Sequence, residues 1–195
     1  MPLQILLIWA KGRPSIADVR AVERALADAA AIFDPNKLPI NIWGQVNREE
    51  EGPLPSAIGY TDAQDYVDSN SVRGRDFARV RDFYLDASHR LKTPVYVLFV
   101  VPAGELYDAN GFSLLEGYSS VLPVPTGVMG TADGHTYAHE IGHGLSLDHV
   151  DETDNVMYPY RVVARTGKLS GNDIGIAQYK QMRAFIQKHP SLVEA

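Results

Sequence analysis

Apolar residues in the first fifty positions form one continuous run, one helical stripe and one alternating stretch. Residues 3–10 are apolar with a single polar exception and predict a buried strand. From Ile16 to about Phe33 the apolar positions recur every three or four residues, which predicts a helix that Ser15 can cap. Residues 38–46 alternate between apolar and polar side chains and predict a second strand. The chain therefore opens as strand, helix and strand.

The middle of the chain predicts a polar excursion, a helix and two further strands. Residues 47–74 are polar and rich in turn-forming residues, and residues 75–91 carry a second helical stripe. Residues 93–101 are nearly all apolar and β-branched, which is typical of a central strand covered on both faces. Residues 118–125 predict another strand, and its two prolines confine it to an edge of the sheet.

The last third predicts a helix at 134–145 and a final helix from about 172 to 188. Strands and helices thus follow one another along the whole chain, which favours an α/β (α+β) fold with a mixed sheet and backing helices. We expect one domain over residues 1–195, with an amino-terminal subdomain of about 1–145 and a smaller carboxy-terminal subdomain of about 146–195.

The composition of the chain limits the classes of binding partner and of chemical site that need to be considered. The net charge of −6 gives no electrostatic reason to bind nucleic acid or an anionic membrane. Cysteine is absent, which excludes disulfide frameworks, thiolate zinc sites and cysteine nucleophiles. The apolar run at 3–10 is too short to span a bilayer and lacks the basic flank and cleavage site of a signal peptide. We expect a monomer.

One run, AHEIGHGLSLDHVDETDNVMYP at 138–159, concentrates metal-binding residue types. On the predicted helix, which Asp133 can cap, His139 and His143 are four residues apart and point to the same side. The opposite side is apolar and would anchor the helix in the core; it comprises Tyr137, Ala138, Ile141 and Leu145. The two histidines therefore face a cleft, which suits metal binding better than core packing.

A base and a third ligand complete the predicted site. Glu140 lies beside His139, near the open side of the ion, where a carboxylate can act as general base on water activated by zinc. His149 comes after the predicted helix and suits the third ligand. His135, one turn before His139, would crowd the open side, and we interpret it as a capping or supporting residue. Imidazole ligands without thiolates favour zinc, while ligand type alone leaves iron, nickel and copper open.

The sequence H-E-I-G-H-G-L-S-L-D-H, followed by N-V-M-Y-P, resembles the metzincin metallopeptidases and the matrixins above all. The resemblance implies a zinc-dependent endopeptidase in a metzincin-like catalytic domain. It implies that His139, His143 and His149 are the zinc ligands and Glu140 the general base. Met157 corresponds to the methionine beneath the metal.

The resemblance extends beyond the metal motif. KLSGNDIGIAQY at 168–179 resembles the stretch that opens the last matrixin helix, so the specific similarity covers about 133–185. The predicted helix at 75–91 does not belong to the matrixin order. Tyr160 lies one position too far from the methionine to match the zinc-contacting tyrosine of some relatives, and we give it no metal role. The absence of cysteine argues against the astacin, adamalysin and archaemetzincin branches.

Ser146 is the other departure, because the motif carries glycine there. Glycine tolerates the positive φ of a sharp turn, which serine adopts at a cost of about 1 kcal/mol. Either Ser146 adopts that geometry or the turn here runs differently with a negative φ. We predict that His149 reaches the metal in both cases.

The resemblance also implies how a substrate binds. In metzincins an extended peptide pairs antiparallel with an exposed edge strand above the zinc. The strand predicted at 118–125 is the candidate edge. Residues 158–169 would form the wall of the pocket for the residue after the cleaved bond.

Two alternatives stay open. The first is a non-catalytic domain, either an enzyme disabled by its altered loop or a protein with a structural zinc site. A structural zinc site would need a fourth protein ligand, and the nearby acidic candidates are Asp148, Asp151, Glu152 and Asp154. A metal-dependent nuclease is the second alternative, because one bacterial RNA-processing family has three histidines at this spacing. That family lacks the glutamate after the first histidine, and Glu140 and the net charge of −6 argue against it. For a metzincin-like enzyme we expect a secreted or extracytoplasmic location. Delivery as an effector or toxin domain is the other expected route.

Overall fold

Seven strands and three helices form the described part of the chain in this computed structural model. The described residues are 2–9, 13–47, 94–103, 111–114, 118–128, 132–160, 162–163 and 168–189. The elements in chain order are β1 Leu3–Trp9, α1 Ile16–Ile32, β2 Ile40–Asn47, β3 Val95–Val101, β4 Phe112–Leu114, β5 Ser119–Pro123, α2 Gly134–Gly144, β6 Val162–Val163, β7 Lys168–Leu169 and α3 Ile176–Gln187. The predicted helix at 75–91, and the excursion before it from residue 48 on, lie outside the described residues.

The main sheet is mixed, with strand order β2-β1-β3-β5-β4. β1 pairs in parallel with β2 and β3, β3 pairs in parallel with β5, and β4 runs antiparallel to β5. β3 lies in the centre and every one of its residues is buried, as its continuous apolar sequence predicted. The predicted α/β class with a mixed sheet is confirmed.

The prediction that residues 118–125 form an edge strand is wrong. β5, which was expected at an edge, lies between β3 and β4; among the described residues the two edge strands are β2 and β4. The inner position tolerates proline for a local reason. The Val124 amide donates to the Val101 carbonyl of β3 at 2.9 Å. The backbone nitrogens of consecutive residues in a strand point towards opposite neighbouring strands. The nitrogen of Pro123 therefore faces away from β3, at the end of the strand and beyond the last residue paired with β4.

The core lies between one face of the sheet and the three helices. Alternate residues of β1 and β3 point into it, including Ile5 and its partner Tyr96. α1 covers this face with its predicted stripe, and it begins where the sequence predicted. Ser15 accepts a hydrogen bond from the Asp18 amide at 3.1 Å, while the Asp18 carboxylate accepts from Ser15, a capping box.

The last helix begins later than predicted, at Ile176 rather than about 172. The segment before it pairs with the chain after α2. The Val156 amide donates to the Asp173 carbonyl at 2.9 Å, and the Asp173 amide donates to the Asp154 carbonyl at 2.8 Å. These long-range hydrogen bonds hold residue 173 in an extended geometry, so a helix cannot include it. None of the helices in the described ranges is both long and apolar enough to cross a membrane.

Candidate metal centre

Helix α2 places the metal-binding motif. Its N-cap is Asp133, whose carboxylate accepts from the Thr136 amide at 2.9 Å, as the sequence predicted. The predicted anchoring side is fully buried, with zero exposure at Tyr137, Ala138, Ile141 and Leu145. Because this stripe is fixed in the core, the histidines of the helix are held on the side that faces away from it.

Three histidine rings converge on one point. The Nε2 atom of His143 lies 3.1 Å from Nε2 of His139 and 3.1 Å from Nε2 of His149, and the third pair, His139 and His149, is 3.2 Å apart. The exposure of the rings rises from His139 to the exposed His149. The motif therefore brings together all three histidines that the sequence singled out, on a site open to solvent at one side.

Backbone carbonyls fix the ring orientation. Nδ1 of His139 lies 2.8 Å from the Val156 carbonyl, and Nδ1 of His143 lies 2.7 Å from the Leu147 carbonyl. A carbonyl only accepts, so in each ring Nδ1 carries the proton and Nε2 keeps its lone pair free. Burial, with the neighbouring rings, lowers the pKa of His139 to about 3, and burial lowers the pKa of His143. Both rings are thus neutral near pH 7, the state that binds a metal ion.

This geometry fits zinc. An ion with four tetrahedral ligands and Zn–N distances of about 2.0–2.1 Å holds its nitrogens about 3.3–3.4 Å apart, close to the spacing of the three Nε2 atoms. Among the described residues, no carboxylate oxygen joins this group of three within 4.8 Å. The acidic residues at 148, 151, 152 and 154 are all exposed. Three protein ligands with a free fourth position are the arrangement of a catalytic zinc site rather than a closed structural one.

The turn after α2 returns the chain to the metal. Ser146 has a φ of 78°, the left-handed geometry that the motif glycine would adopt. Its amide donates to the His143 carbonyl and the Leu147 amide donates to the Gly142 carbonyl, each at 2.9 Å. Together these form a Schellman cap, which ends the helix and reverses the chain. Serine thus accepts the strained geometry, and the turn still returns His149 to the cluster.

Met157 lies directly against α2 and is fully buried. A Cβ atom on Gly142 would come within 2.6 Å of its Sδ atom, so glycine at 142 is what permits this approach. Asn155 shapes the turn that carries the methionine, because its side-chain Oδ1 accepts from the Met157 amide at 2.9 Å. Its Nδ2 donates to Gln178 of α3 at 2.9 Å. The last helix therefore supports the floor of the metal centre.

Glu140 is buried beside the cluster, with 8% of its surface exposed. Its Oε2 accepts a hydrogen bond from the hydroxyl of Ser113 on β4 at 2.8 Å. Burial raises the pKa of Glu140 to about 7, which the hydrogen bond from Ser113 partly opposes. A carboxyl group with a pKa near neutrality can both accept and return a proton under ordinary conditions.

His135 and Tyr160, both considered from the sequence for a role near the metal, contact other parts of the protein. His135 is buried, with Nδ1 2.9 Å from Asn172 Oδ1 and Nε2 3.2 Å from the Ser170 hydroxyl. It therefore joins α2 to the segment before α3 and is not part of the converging group. Tyr160 is 65% exposed and contacts the ring of Tyr158 edge-on.

Several contributing groups were not predicted. Ser113 carries no motif signal, and its partner Glu140 is 27 residues away in sequence. The carbonyls of Leu147 and Val156 could not be predicted either, because a backbone acceptor depends on the path of the chain. Asn155 did have a signal, since it opens the N-V-M-Y-P segment and asparagine favours such turns.

Residues 109–180 match the model of the peptidase family described as Matrixin. This span holds α2, all three converging histidines, Met157 and the start of α3. It overlaps most of the part of the chain, about 133–185, whose motifs resemble matrixins. A comparison with curated protein sequences gives no match.

Three peptidases are among the proteins whose solved structures resemble this chain. Archaemetzincin from Methanopyrus kandleri is 16% identical with a TM-score of 0.50, over 96% of this chain and 97% of that one. A zinc-dependent peptidase from Methanocorpusculum labreanum is 14% identical with a TM-score of 0.49, over 91% and 99%. Metalloproteinase-II from Bacteroides fragilis is 15% identical with a TM-score of 0.48, over 96% and 53%.

The archaemetzincin comparison shows a shared fold and, at this identity, nothing finer. The expectation from the cysteine count that the chain lies outside the archaemetzincin branch therefore stays a prediction. The family match together with the fold supports a metzincin-like zinc metallopeptidase.

Proposed function

We propose that the protein is a zinc-dependent endopeptidase. The observation that carries this proposal is the convergence of three imidazole rings, with no fourth protein ligand among the described residues, beside the buried carboxylate of Glu140. A purely structural zinc site gives no reason for the open position or for a buried carboxyl group beside it.

His139, His143 and His149 are the proposed ligands, and each offers an Nε2 atom to the shared point. The zinc ion, when bound there, supplies Lewis-acid activation of water and of the carbonyl group that is attacked. The Val156 and Leu147 carbonyls keep two of the rings in the ligating tautomer. Met157 supports the helix from below through its contact at Gly142.

Glu140 is the proposed general base. Its carboxylate takes a proton from the attacking water and returns it to the departing amine, so the peptide bond is broken with no net change in the carboxyl group. The Ser113 hydroxyl, 2.8 Å from Oε2, donates to the carboxylate and so supports the ionised form that takes the proton.

An extended peptide is the proposed substrate, bound along β4 rather than along the strand that the sequence favoured. In the described part of the chain the main sheet has two edge strands, β2 and β4, and β4 is the one whose residue Ser113 contacts Glu140. A peptide that pairs with this edge would lie beside the base. Residues 158–160 continue from Met157 and would border the pocket for the next substrate residue. The monomeric state, the single-domain boundaries and an extracytoplasmic location remain predictions.

Cleavage of a quenched peptide library by wild type, Glu140→Gln and Glu152→Gln tests the proposal, with zinc measured in each protein by elemental analysis. Glu152 is an exposed glutamate and serves as the matched control. We expect one zinc ion per chain in all three proteins, and cleavage lowered by about 10²- to 10⁴-fold in Glu140→Gln alone. Bound zinc in a wild type that cuts no peptide would refute the peptidase and favour a structural zinc site. Cleavage of RNA instead would favour the nuclease.

A further inference from the structure

A chain of hydroxyl groups, two of them buried and one partly buried, leads from the centre of the sheet to the carboxylate of Glu140. The hydroxyl of Ser113 lies 2.8 Å from Oε2 of Glu140 and 2.6 Å from the backbone carbonyl of the same residue. It also lies 2.7 Å from the hydroxyl of Ser120 on β5. The Ser120 hydroxyl in turn contacts that of Tyr96 on β3.

The number of protons gives this chain a direction. Burial raises the pKa of Tyr96 well above its usual value, so its hydroxyl keeps its proton and always has one to donate. An ionised carboxylate only accepts. When Glu140 is ionised, one arrangement provides a proton for each side-chain contact: Tyr96 donates to Ser120, Ser120 to Ser113, and Ser113 to Glu140. The Tyr96 hydroxyl also lies 3.2 Å from the Glu140 backbone carbonyl, which can accept from it. Hydrogen bonds aligned in this way strengthen one another in a buried site.

Packing against the backbone also restricts where the Glu140 carboxylate can lie. A Cβ atom on Gly111 would come within 2.9 Å of Cγ of Glu140, so the backbone before β4 lies against the glutamate side chain. Glutamate has three rotatable side-chain bonds, and helix geometry alone does not choose among their rotamers. The contact at Gly111 and the hydrogen bond from Ser113 therefore select one orientation.

We propose that Ser113 is a positioning residue, whose hydroxyl holds the carboxylate of Glu140 in the orientation needed for proton transfer, with Ser120 and Tyr96 supporting it. This inference rests on the proposed role of Glu140 as general base. A general base must lie within about 2.6–3.2 Å of the proton that it takes. Because Ser113 belongs to β4, the strand proposed to pair with the peptide also orients the base.

Steady-state kinetics of Ser113→Ala, Ser113→Thr and Ser119→Ala separate positioning from general damage to the sheet. Ser119 is a fully buried serine on the neighbouring strand and is the matched control, because its side chain points to the opposite face from Ser120. We expect Ser113→Ala to lower kcat by about 10- to 100-fold with little change in KM and with full zinc content. Ser113→Thr, which keeps a hydroxyl, should regain most of kcat, and Ser119→Ala should resemble wild type.

A double-mutant cycle in the metal-free protein gives a second readout that needs no activity. Urea midpoints are measured for wild type, Ser113→Ala, Glu140→Ala and the double variant. Ser113→Ala should lower the midpoint clearly in wild type and less in the Glu140→Ala background. The cycle reports the side-chain bond alone, because the backbone carbonyl of residue 140 is present in all four proteins.

Additive midpoints, or an unchanged kcat in Ser113→Ala, would overturn the positioning role. Such results leave the peptidase proposal intact if wild type still cuts peptides and Glu140→Gln does not. Conversely, a wild type without peptidase activity refutes the proposed function, while coupled midpoints would still establish the bond between Ser113 and Glu140.

Discussion

The metal centre and the end of α3 both contain buried histidine rings, yet the rings face different partners. In the metal centre the Nε2 atoms of His139, His143 and His149 face one another at 3.1–3.2 Å. At the end of α3, His189 is fully buried and its Nε2 lies 3.1 Å from the Val95 carbonyl. Its ring packs edge-on against Tyr118, with centroids 4.1 Å apart.

This difference separates a binding site from a structural contact. Ring nitrogens that face a carbonyl have their hydrogen-bonding requirement met within the protein. Three lone pairs directed at one point repel one another and require a cation between them. Burial lowers the pKa of histidine in both regions, to about 3 for His139 and about 4 for His189, so a shifted pKa alone does not distinguish them. The partners of the nitrogen atoms do.

Zinc removal should have the largest effect, and only through the metal centre. With zinc at about 1,000 times its dissociation constant, a chelator should lower the free energy of unfolding of wild type by about 4 kcal/mol. His143→Ala should show no such loss, since one of three ligands is missing. His189→Gln should show the full loss. Urea unfolding with and without chelator measures this; a chelator effect that survives in His143→Ala would contradict the site.

Removal of the His189 side chain should lower the free energy of unfolding somewhat less than zinc removal does. His189→Ala removes a fully buried ring and leaves the Val95 carbonyl without its donor, so we expect a loss of about 3 kcal/mol in the free energy of unfolding. The exposed neighbour Lys188 provides the control, and Lys188→Ala should change stability by less than about 0.5 kcal/mol. Zinc content should stay the same in both variants. Loss of zinc from His189→Ala under folding conditions would show that the regions are coupled.

Acidification should lower the stability that His189 contributes, by a smaller amount than removal of its side chain does. His189 has a pKa of about 4 in the folded protein, below the 6.5 expected in the unfolded chain. The unfolded state therefore binds the proton more readily, so stability is fully present above pH 6.5 and is lost as the pH falls towards 4. Between pH 7 and pH 5 this amounts to about 2 kcal/mol.

The difference between wild type and His189→Gln isolates this effect, because the histidines of the metal centre are common to both proteins. Urea unfolding of the metal-free proteins at pH 7 and pH 5 should show a stability gap that narrows by about 2 kcal/mol at the lower pH. A gap that is independent of pH would show that the pKa of His189 is not lowered in the folded state.

The smallest expected effect concerns the turn that completes the metal centre. Ser146→Gly should raise the free energy of unfolding by about 1 kcal/mol, because serine at a φ of 78° is strained and glycine is not. Gly127 has nearly the same φ, 76°, with open space around its Cβ position, so Gly127→Ser should lower stability by a similar amount. Zinc affinity should not change in either variant. If Ser146→Gly is no more stable than wild type, contacts of the serine side chain offset the strain.

The sequence predicted the local elements well because their causes are local. The stripe and cap of α1 and the amphipathic phase of α2 are periodic patterns within one helix, and each element was found at the expected residues. The start of α3 was predicted too early, because Asp173 pairs with residues 154 and 156, far back in the chain. Two prolines led to the prediction that β5 is an edge strand, but β5 is covered on its outer side by β4, a three-residue strand whose pairing no local pattern indicates.

By itself the sequence determined which residues have metal-binding chemistry, because the spacing of His139 and His143 on one helix fixes their common direction. Only the tertiary structure decided what surrounds them. The left-handed turn at Ser146 returns His149, backbone carbonyls set the ring tautomers, and Ser113 reaches Glu140 from another strand. These contacts join residues distant in sequence, and they depend on the order and register of the strands. Spacing along one helix is a property of the local chain, whereas the surroundings of a side chain are a property of the packed fold.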